Sequence, residues 1–331
     1  MILLTFIAAS LMPPTSSMLS EEPIPVDLSS GAFIDMPTTL SGNLTGAQSV
    51  TPDLSANAFQ HLNITSSSNQ PLLRVAIAPV ISPRESLNKY HHLAHHLADV
   101  LQSKLVFIQR NSYREITALM EHGECDLALV STGAYIIEHG KGTMEVLATP
   151  VVHGQERYRS LLLVRSDSSH QGFEDLKGQP FATSHWESSS SWLFPCFLVR
   201  TLGGDPKTYF SKVHVTGGHD RSILALLHKK VEATAVHSHV FEAILKAYPE
   251  LGPKFKILAE SSPWGNHPFV VHPQCSEEQK KKFRQALLSM HLTKIGQESL
   301  READIERFFI PEPSFYDSIK TTLFPSMEAE R

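Results

Sequence analysis

Several signatures of common protein classes are missing from this chain of 331 residues. Its three cysteines, Cys125, Cys196 and Cys275, lie too far apart for a zinc ribbon or a CxxC redox pair. There is no HExxH motif, no Walker phosphate loop and no GxSxG nucleophile elbow. These absences exclude the zinc proteases, nucleotide hydrolases and serine hydrolases that such motifs define.

Excess positive charge and long apolar runs are missing as well. The 29 basic and 34 acidic residues leave a formal net charge of -5, so the sequence has no basic footprint for nucleic acid. The apolar run at residues 1–12 is too short to span a bilayer, and no longer run follows. We therefore expect no nucleic-acid partner and no membrane-spanning segment. A small anion would have to be captured by a local site.

The N-terminal residues resemble a targeting segment followed by a tail. Residues 1–12 look like the apolar core of a secretory signal without its basic residues, which a weak signal or a misplaced start codon would explain. Residues 13 to about 70 are rich in Ser, Thr, Pro, Asn and Gly. We assign residues 1–71 to a signal-like and disordered tail and expect a periplasmic protein. No cysteine lies near the N-terminus, so no lipid anchor is expected.

Strand and helix patterns alternate from residue 72 onward. A continuous apolar run at residues 73–78 predicts a buried strand, and apolar residues spaced by three and four over 87–101 predict an amphipathic helix. Further strands at 105–108 and 126–130, with a helix between them, complete the signature of a parallel, doubly wound sheet. Ligands bind beyond the carboxyl ends of the strands in such sheets, so the loops after these strands are candidate site loops.

A second alternating set predicts a second lobe. It includes strands at residues 180–183, 213–215 and 233–236, and extended segments lead into and out of it. We therefore predict an α/β fold with two lobes and a cleft between them. The first lobe comprises residues 72–164 and 268–331, and the second comprises residues 165–267.

Four consecutive serines, Ser188 to Ser191, lie between a predicted strand and an apolar run at residues 192–202. They fall at the N-cap and first turn of a predicted helix, where hydroxyls and unpaired backbone N–H groups converge. A helix start carries partial positive charge and only donors, which suits a tetrahedral oxyanion. A serine-rich turn without a ligand is the alternative interpretation, since serine is common in loops.

Two histidines follow the other strands of the second lobe. His219 lies in a predicted loop behind Gly217 and Gly218, which permit a close backbone approach, and its imidazole can donate a hydrogen bond to an anion. His237 ends the next predicted strand. We expect both histidines to face the same cleft as the serines, which offers hydroxyls, amides and imidazoles but no evident carboxylate base.

The remaining histidines do not indicate a metal site. His91, His92, His95 and His96 share helix faces at i, i+4 spacing, but no Cys or Asp ligand pattern lies near them, and a solvated polar helix face is expected. The others, among them His153, are scattered along the chain. The sequence therefore predicts neither a metal nor another cofactor.

The order of seven motifs resembles the solute-binding proteins of bacterial ABC transporters for phosphonate, phosphite and phosphate. The resemblance covers about residues 72 to 310 and implies the type 2 periplasmic binding-protein fold, in which a hinge joins two α/β lobes. The family's motifs are an opening strand, a Ser/Asp-Tyr pair, an Asp-hydrophobic-Ala strand with a Gly-Pro-x-x-Tyr turn, a Tyr-Arg-Ser strand, an Asp-Leu-Lys-Gly helix, a Ser-Thr-Ser helix start and a Gly-Ser-His-Asp loop. The Gly-Pro of the family is Ser131-Thr132 in this sequence. The motifs occur here as Leu73 to Pro79, Ser112-Tyr113, Asp126 to Tyr135, Tyr158 to Ser160, Asp175 to Gly178, Ser188 to Ser190 and Gly217 to Asp220.

The resemblance implies a ligand site to which both lobes contribute. In the family the serine turn and the histidine bind phosphonate oxygens, and two tyrosines contribute from the first lobe. By position these residues are Ser188, Ser189, Ser190, His219, Tyr113 and Tyr135. The serines and His219 are also candidates because of their own chemistry and position, whereas the tyrosines rest on the resemblance alone.

His237 departs from the family pattern. In binders of aminoalkylphosphonates an acid at this position faces the ligand's ammonium group, and a histidine stands there in this sequence. A preference for an amine therefore does not carry over from the resemblance. The expected ligand is a small oxyanion, either a phosphonate or a more anionic ligand such as phosphate or phosphite, with an unrelated anion as the alternative.

We therefore expect a binding protein without enzymatic activity that closes on a small oxyanion and presents it to an ABC permease. One alternative is a sensor that passes the ligand signal to a kinase or receptor. Another is an enzyme on the same fold, either a metal-dependent hydrolase or a cofactor-precursor synthase. The lack of a carboxylate base disfavours the enzyme.

Overall fold

In the computed structural model, which describes residues 70–323, two main β-sheets divide the chain into two lobes. Residues 1–69, with the signal-like segment, and 324–331 lie outside the described residues. The strands are β1 (Leu72–Ile77), β2 (Lys104–Gln109), β3 (Leu127–Leu129), β4 (Glu145–Val152), β5 (Arg157–Tyr158), β6 (Ser160–Arg165), β7 (Pro180–Thr183), β8 (Lys212–Val215), β9 (Ala233–His237), β10 (Phe255–Glu260), β11 (Trp264–Gly265), β12 (Phe269–Val271) and β13 (Ile305–Phe309).

Helices connect most of these strands and cover the sheets. They are α1 (Pro83–Val100), α2 (Tyr113–Glu121), α3 (Thr132–Gly140), α4 (Phe194–Thr201), α5 (Pro206–Tyr209), α6 (His219–Leu227), α7 (Ser238–Ala247), α8 (Glu277–Ser289), α9 (Lys294–Glu302) and α10 (Asp317–Leu323). None of the helices within residues 70–323 is long and apolar enough to cross a membrane.

The first sheet has the strand order β13-β4-β12-β3-β1-β2. β1 pairs in parallel with β2 and β3, as the alternating pattern predicted. β12 and β13 return from the second lobe and pair antiparallel with β3 and β4. Leu93, Ala94 and Leu97 of α1 are fully buried and pack on Val75 and Phe269 of this sheet, because their spacing of three and four gives the helix one apolar face.

The second sheet has the strand order β10-β6-β9-β7-β8. β7 pairs in parallel with β8 and β9, so the ends of these strands at Thr183, Val215 and His237 share one edge. β6 pairs antiparallel with β9 and β10. The prediction that residues 160–164 belong to the first lobe is therefore wrong, because apolar character marks a buried strand but not the sheet that it joins. We propose a lobe boundary between Tyr158 and Ser160.

A two-stranded link joins the lobes. β5 and β11 pair antiparallel, with Tyr158 opposite Trp264 and Arg157 opposite Gly265. Because β5 leads into the second lobe and β11 leads out of it, these four residues connect the lobes, and we propose them as the axis about which the lobes rotate. The predicted α/β architecture with two lobes and extended segments between them is confirmed.

Candidate functional site

The serine turn lies directly beyond the carboxyl end of β7. Residues Ser189–Leu193 form a single π-helical turn that runs into α4. Ser188 is its N-cap, and the Ser188 hydroxyl accepts a hydrogen bond from the N–H of Ser191 at 3.1 Å. The predicted position of the serines at the start of a helix is therefore confirmed.

The fourth serine has a structural role. The hydroxyl of Ser191 lies 2.8 Å from Oγ1 of Thr183 and 2.7 Å from Oγ of Ser184, and it accepts the N–H of Ser184 at 3.1 Å. These contacts tie the turn to the end of β7. Ser188, Ser189 and Ser190 are thereby held at the cleft.

Ser189 meets the first lobe across the cleft. Its Oγ accepts a hydrogen bond of 2.8 Å from the N–H of Gly133, in the first turn of α3. With that bond made, the hydroxyl proton of Ser189 remains available for an anion. A Cβ at position 133 would lie 2.6 Å from Oγ of Ser189, so only glycine permits this approach.

His219 begins α6 rather than lying in a loop, with Gly218 as the N-cap. The prediction of a loop at His219 is therefore wrong; two successive glycines favour a loop, but here Gly218 caps a helix. The imidazole is 1% exposed, and its Nε2 lies 3.4 Å from Oγ of Ser190. Burial, with His267 and His185 nearby, lowers the pKa of His219 to about 3, so the ring is neutral at pH 7.

His237 ends β9 and stacks on a tyrosine of the two-stranded link. Its ring centroid lies 3.8 Å from that of Tyr158, and the two planes differ by 5°. The rings of His267 and His219 lie 4.8 Å and 6.2 Å away. Burial and these neighbouring imidazoles lower the pKa of His237 well below its usual value, so it too is neutral at pH 7.

A contiguous group of buried polar atoms has no hydrogen-bond partner. Four of the seven such side-chain atoms in the described residues belong to this group, namely Nδ1 of His219, Nδ1 of His237, the hydroxyl of Tyr158 and Nε1 of Trp264. The Tyr158 hydroxyl faces Thr132 and Ser189 without a hydrogen bond of good geometry. Each unpaired buried group costs about 1–3 kcal/mol, so their concentration beside the serine turn indicates a polar ligand.

The two predicted tyrosines have different surroundings. Tyr113 begins α2, where Ser112 and Glu115 form a capping box, and its buried hydroxyl contacts the hydroxyls of Ser188 and Ser184. Tyr135 instead packs its ring against Tyr316, with centroids 5.0 Å apart, and against His139. The structure therefore brings Tyr113 to the serine turn, whereas none of the contacts found for Tyr135 involves that turn.

The lobes are closed on each other along the cleft. The N–H of His219 donates to the carbonyl of Val80 at 3.1 Å, and the N–H of Ser82 donates to Oδ1 of Asp220 at 3.1 Å. Nε2 of His185 lies 3.0 Å from the carbonyl of Pro79. Pro79 and Val80 follow β1, so a loop predicted to carry the site does reach the second lobe.

Gly133→Ala is expected to weaken binding of phosphate about 10-fold. The added Cβ would displace Ser189 and break the interlobe hydrogen bond, which favours the open form. Isothermal titration calorimetry measures the change. Gly252→Ala is the matched control, because no atom lies within 4 Å of a Cβ at that position. Equal affinities for the two variants would contradict this role of Gly133.

Sequence reasoning missed several residues of this group. Tyr158 was part of a recognised motif but was given no role, and Trp264 and His267 carried no local signal. No role was predicted for Ser184, and His185 was counted among the scattered histidines, although both follow β7 just before the serine turn. Tyr158 and Trp264 reach the cleft only because the distant segments β5 and β11 pair.

Comparisons with known proteins agree with this architecture. A sequence model of the family described as "ABC transporter, phosphonate, periplasmic substrate-binding protein" matches residues 75–316. A binding-protein component of an ABC phosphonate transporter from Pseudomonas aeruginosa superposes with a TM-score of 0.69 at 18% identity, covering 79% of this chain and 95% of that one. PhnD1 from Prochlorococcus marinus, in complex with methylphosphonate, gives 0.67 at 16% identity, covering 78% and 97%. These likenesses confirm the predicted two-lobe fold.

Proposed function

Because this chain belongs to the family of periplasmic substrate-binding proteins of phosphonate ABC transporters, we propose that its cleft captures a small oxyanion that carries no ammonium group. Methylphosphonate, phosphite and phosphate are the candidates. The oxyanion is held by Ser188, Ser189, Ser190, His219, His237 and Tyr113, with Tyr158 and Trp264 as additional contacts. The role of Tyr135 stays a prediction.

Membership of the family confirms two predictions made from the sequence. The chain is the binding component of an ABC transporter, and it belongs to a family of transport proteins rather than enzymes. The family is periplasmic, which agrees with the expected export. The signal-like residues 1–12 lie outside the described residues.

The observation that carries the proposal is the set of unpaired polar groups next to the serine turn. Hydroxyls, imidazoles and one indole N–H converge there, and none of the hydrogen bonds or ion pairs found for these side chains in residues 70–323 involves a carboxylate. Glu187 precedes the turn, but burial raises its pKa and so disfavours the charged form that would attract a cation. Such a site suits the oxygens of an anion, whereas an ammonium group finds no carboxylate among the hydrogen-bond partners of these side chains.

The closed cleft explains how neutral groups can hold an anion tightly. The serines and both histidines are at most 6% exposed, so water competes little with them for hydrogen bonds. Hydrogen bonds to an ionised acceptor are roughly twice as strong as those between neutral groups, and a low local dielectric strengthens them further. A proton taken up by an imidazole would add to this attraction.

Titration with a matched series of ligands tests the proposal. Methylphosphonate, phosphite and phosphate are expected to bind at least about 10-fold more tightly than 2-aminoethylphosphonate, because an ammonium group buried without a carboxylate partner is penalised. Isothermal titration calorimetry on the full chain gives the affinities, and a neutral sugar is the negative control. Preference for the aminoalkylphosphonate, or no binding of any oxyanion, would refute the proposal.

A further inference from the structure

A second cluster of ligating side chains lies near the cleft and has no part in the oxyanion site. His239 and Glu242 are three residues apart in α7 of the second lobe, and His153 follows β4 of the first lobe. Nδ1 of His239 lies 3.4 Å from Oε2 of Glu242, and Nδ1 of His153 lies 3.7 Å from the same oxygen. The three ligand atoms are all within 4.8 Å of one another.

The hydrogen bonds of Asn266 fix the tautomer of His239. The side-chain amide nitrogen of Asn266 donates to the carbonyls of Pro150 at 3.0 Å and Gln155 at 2.8 Å. Its oxygen is therefore the atom 3.1 Å from Nε2 of His239, and Nε2 must carry a proton. In a neutral ring, Nδ1 of His239 then directs a lone pair at the carboxylate of Glu242. A cation between them would satisfy both groups.

A carboxylate lies near the second ring nitrogen of His153. Its buried Nε2 makes no hydrogen bond but lies 3.8 Å from Oδ1 of Asp304, which Lys89 holds through its other oxygen at 2.6 Å. Histidines that bind metals usually direct their second ring nitrogen at a carboxylate or an amide oxygen, which sets the tautomer and orients the ring. His239 has such a partner in Asn266, and the carboxylate of Asp304 is the group nearest to Nε2 of His153 that could become one.

From this geometry we propose that His153, His239 and Glu242 form a Zn²⁺ site that links the two lobes. Zn–ligand bonds of about 2.0–2.1 Å in tetrahedral geometry require ligand atoms about 3.4 Å apart. Two of the separations are already close to that value, and the third needs a contraction of the kind that metal binding supplies. Two imidazoles favour zinc over Mg²⁺ or Ca²⁺, which prefer oxygen ligands. The fourth position remains open for water.

The location of the ligands gives the site a role. Because His153 belongs to the first lobe and the other two ligands to the second, a bound Zn²⁺ holds the lobes in the closed arrangement. The ring of His239 lies 5.3 Å from that of His237, so the site is adjacent to the oxyanion group. No sequence pattern indicates this site, since His153 and His239 are far apart in the chain.

Zinc titration of the full chain, freed of metal with EDTA and kept in phosphate-free buffer, tests the proposal. We expect one tightly bound Zn²⁺ per chain and a rise in the melting temperature of about 5 °C at saturating Zn²⁺. His153→Gln and Glu242→Gln should each weaken that binding at least about 10-fold. Both side chains are partly exposed, so circular dichroism is expected to show folded variants.

Two histidines of α1 provide the control. The rings of the half-buried His91 and the exposed His95 lie 4.5 Å apart and offer an alternative place for zinc. His91→Gln/His95→Gln should keep the tight site. Small-angle scattering should show that Zn²⁺ compacts the wild type and this control but not His153→Gln. No stoichiometric zinc binding, or binding unchanged in His153→Gln and Glu242→Gln, would overturn the proposal. No oxyanion is present in these measurements, so they are independent of the proposed function.

Discussion

Replacing both Ser189 and His219 with alanine is expected to abolish measurable binding of methylphosphonate, phosphite and phosphate. Each side chain supplies a donor to an ionised acceptor, and the loss of one such hydrogen bond costs about 1.5–3 kcal/mol. Removing two therefore lowers the affinity by roughly 10²-fold to 10⁴-fold. Ser189 also accepts the N–H of Gly133, so the variant loses an interlobe hydrogen bond at the same time.

Calorimetry on the folded variant measures this effect. Ser262→Ala/His122→Ala is a control with the same substitutions at two exposed positions, one in each lobe, and it should bind like the wild type. The melting temperature shows whether the site variant is folded. An affinity within about 3-fold of the wild type (less than 1 kcal/mol) would remove the serine turn and His219 from the site.

Acid is expected to destabilise the protein between pH 6.5 and pH 5. Burial lowers the pKa of His219 to about 3, with His267 and His185 adding to the effect. Burial also lowers the pKa of His185 to about 4, assisted by Arg221 and opposed by the carbonyl of Pro79, by Gly217 and by Glu115. The folded state therefore binds fewer protons than the unfolded state. Above pH 6.5 both histidines are neutral in the folded and unfolded states, and the free energy of unfolding is at its full value. As the pH falls towards the two lowered pKa values, the unfolded state takes up protons first and the free energy of unfolding decreases.

Each of these histidines can lower the free energy of unfolding by about 1–2 kcal/mol at pH 5. The carboxylates whose pKa is lowered lose stabilisation only at about pH 4.5 and below, so the window from 6.5 to 5 reports the histidines. Thermal melts across this window provide the measurement, and His219→Asn should reduce the slope. A saturating oxyanion should also reduce it, because the anion raises the pKa of the imidazole. A melting temperature independent of pH would contradict the assignment.

The parts of the site that could be predicted from the sequence are those determined by residues adjacent in the chain. Four serines between a strand and an apolar run predict a helix start from their own residues, and the structure has a capped turn there. His219 was placed near the cleft but in a loop, because glycine pairs are common in loops, whereas here Gly218 caps α6. The strands of both sheets could be predicted because the apolar residues within each strand already show that it is buried.

The missed features depend on contacts between distant segments. Nothing in residues 160–165 distinguishes a strand that pairs with β9 from one that pairs with β4. Trp264 and Tyr158 are brought together only by the link between the lobes. Tyr135 was included because of a family motif, and its packing against Tyr316 could not be read from that motif.

The two-stranded link, which we propose as the pivot of the lobes, also contributes side chains to the cleft. Tyr158 and Trp264 belong to it, and each directs an unpaired polar atom into the protein interior. Parts of a molecule that lie on a rotation axis move least when the rotation occurs. We therefore expect a bound ligand to lose its contacts with the serine turn first as the lobes open, and to keep its contacts with Tyr158 and Trp264 longest. Dissociation would then occur in two steps rather than one.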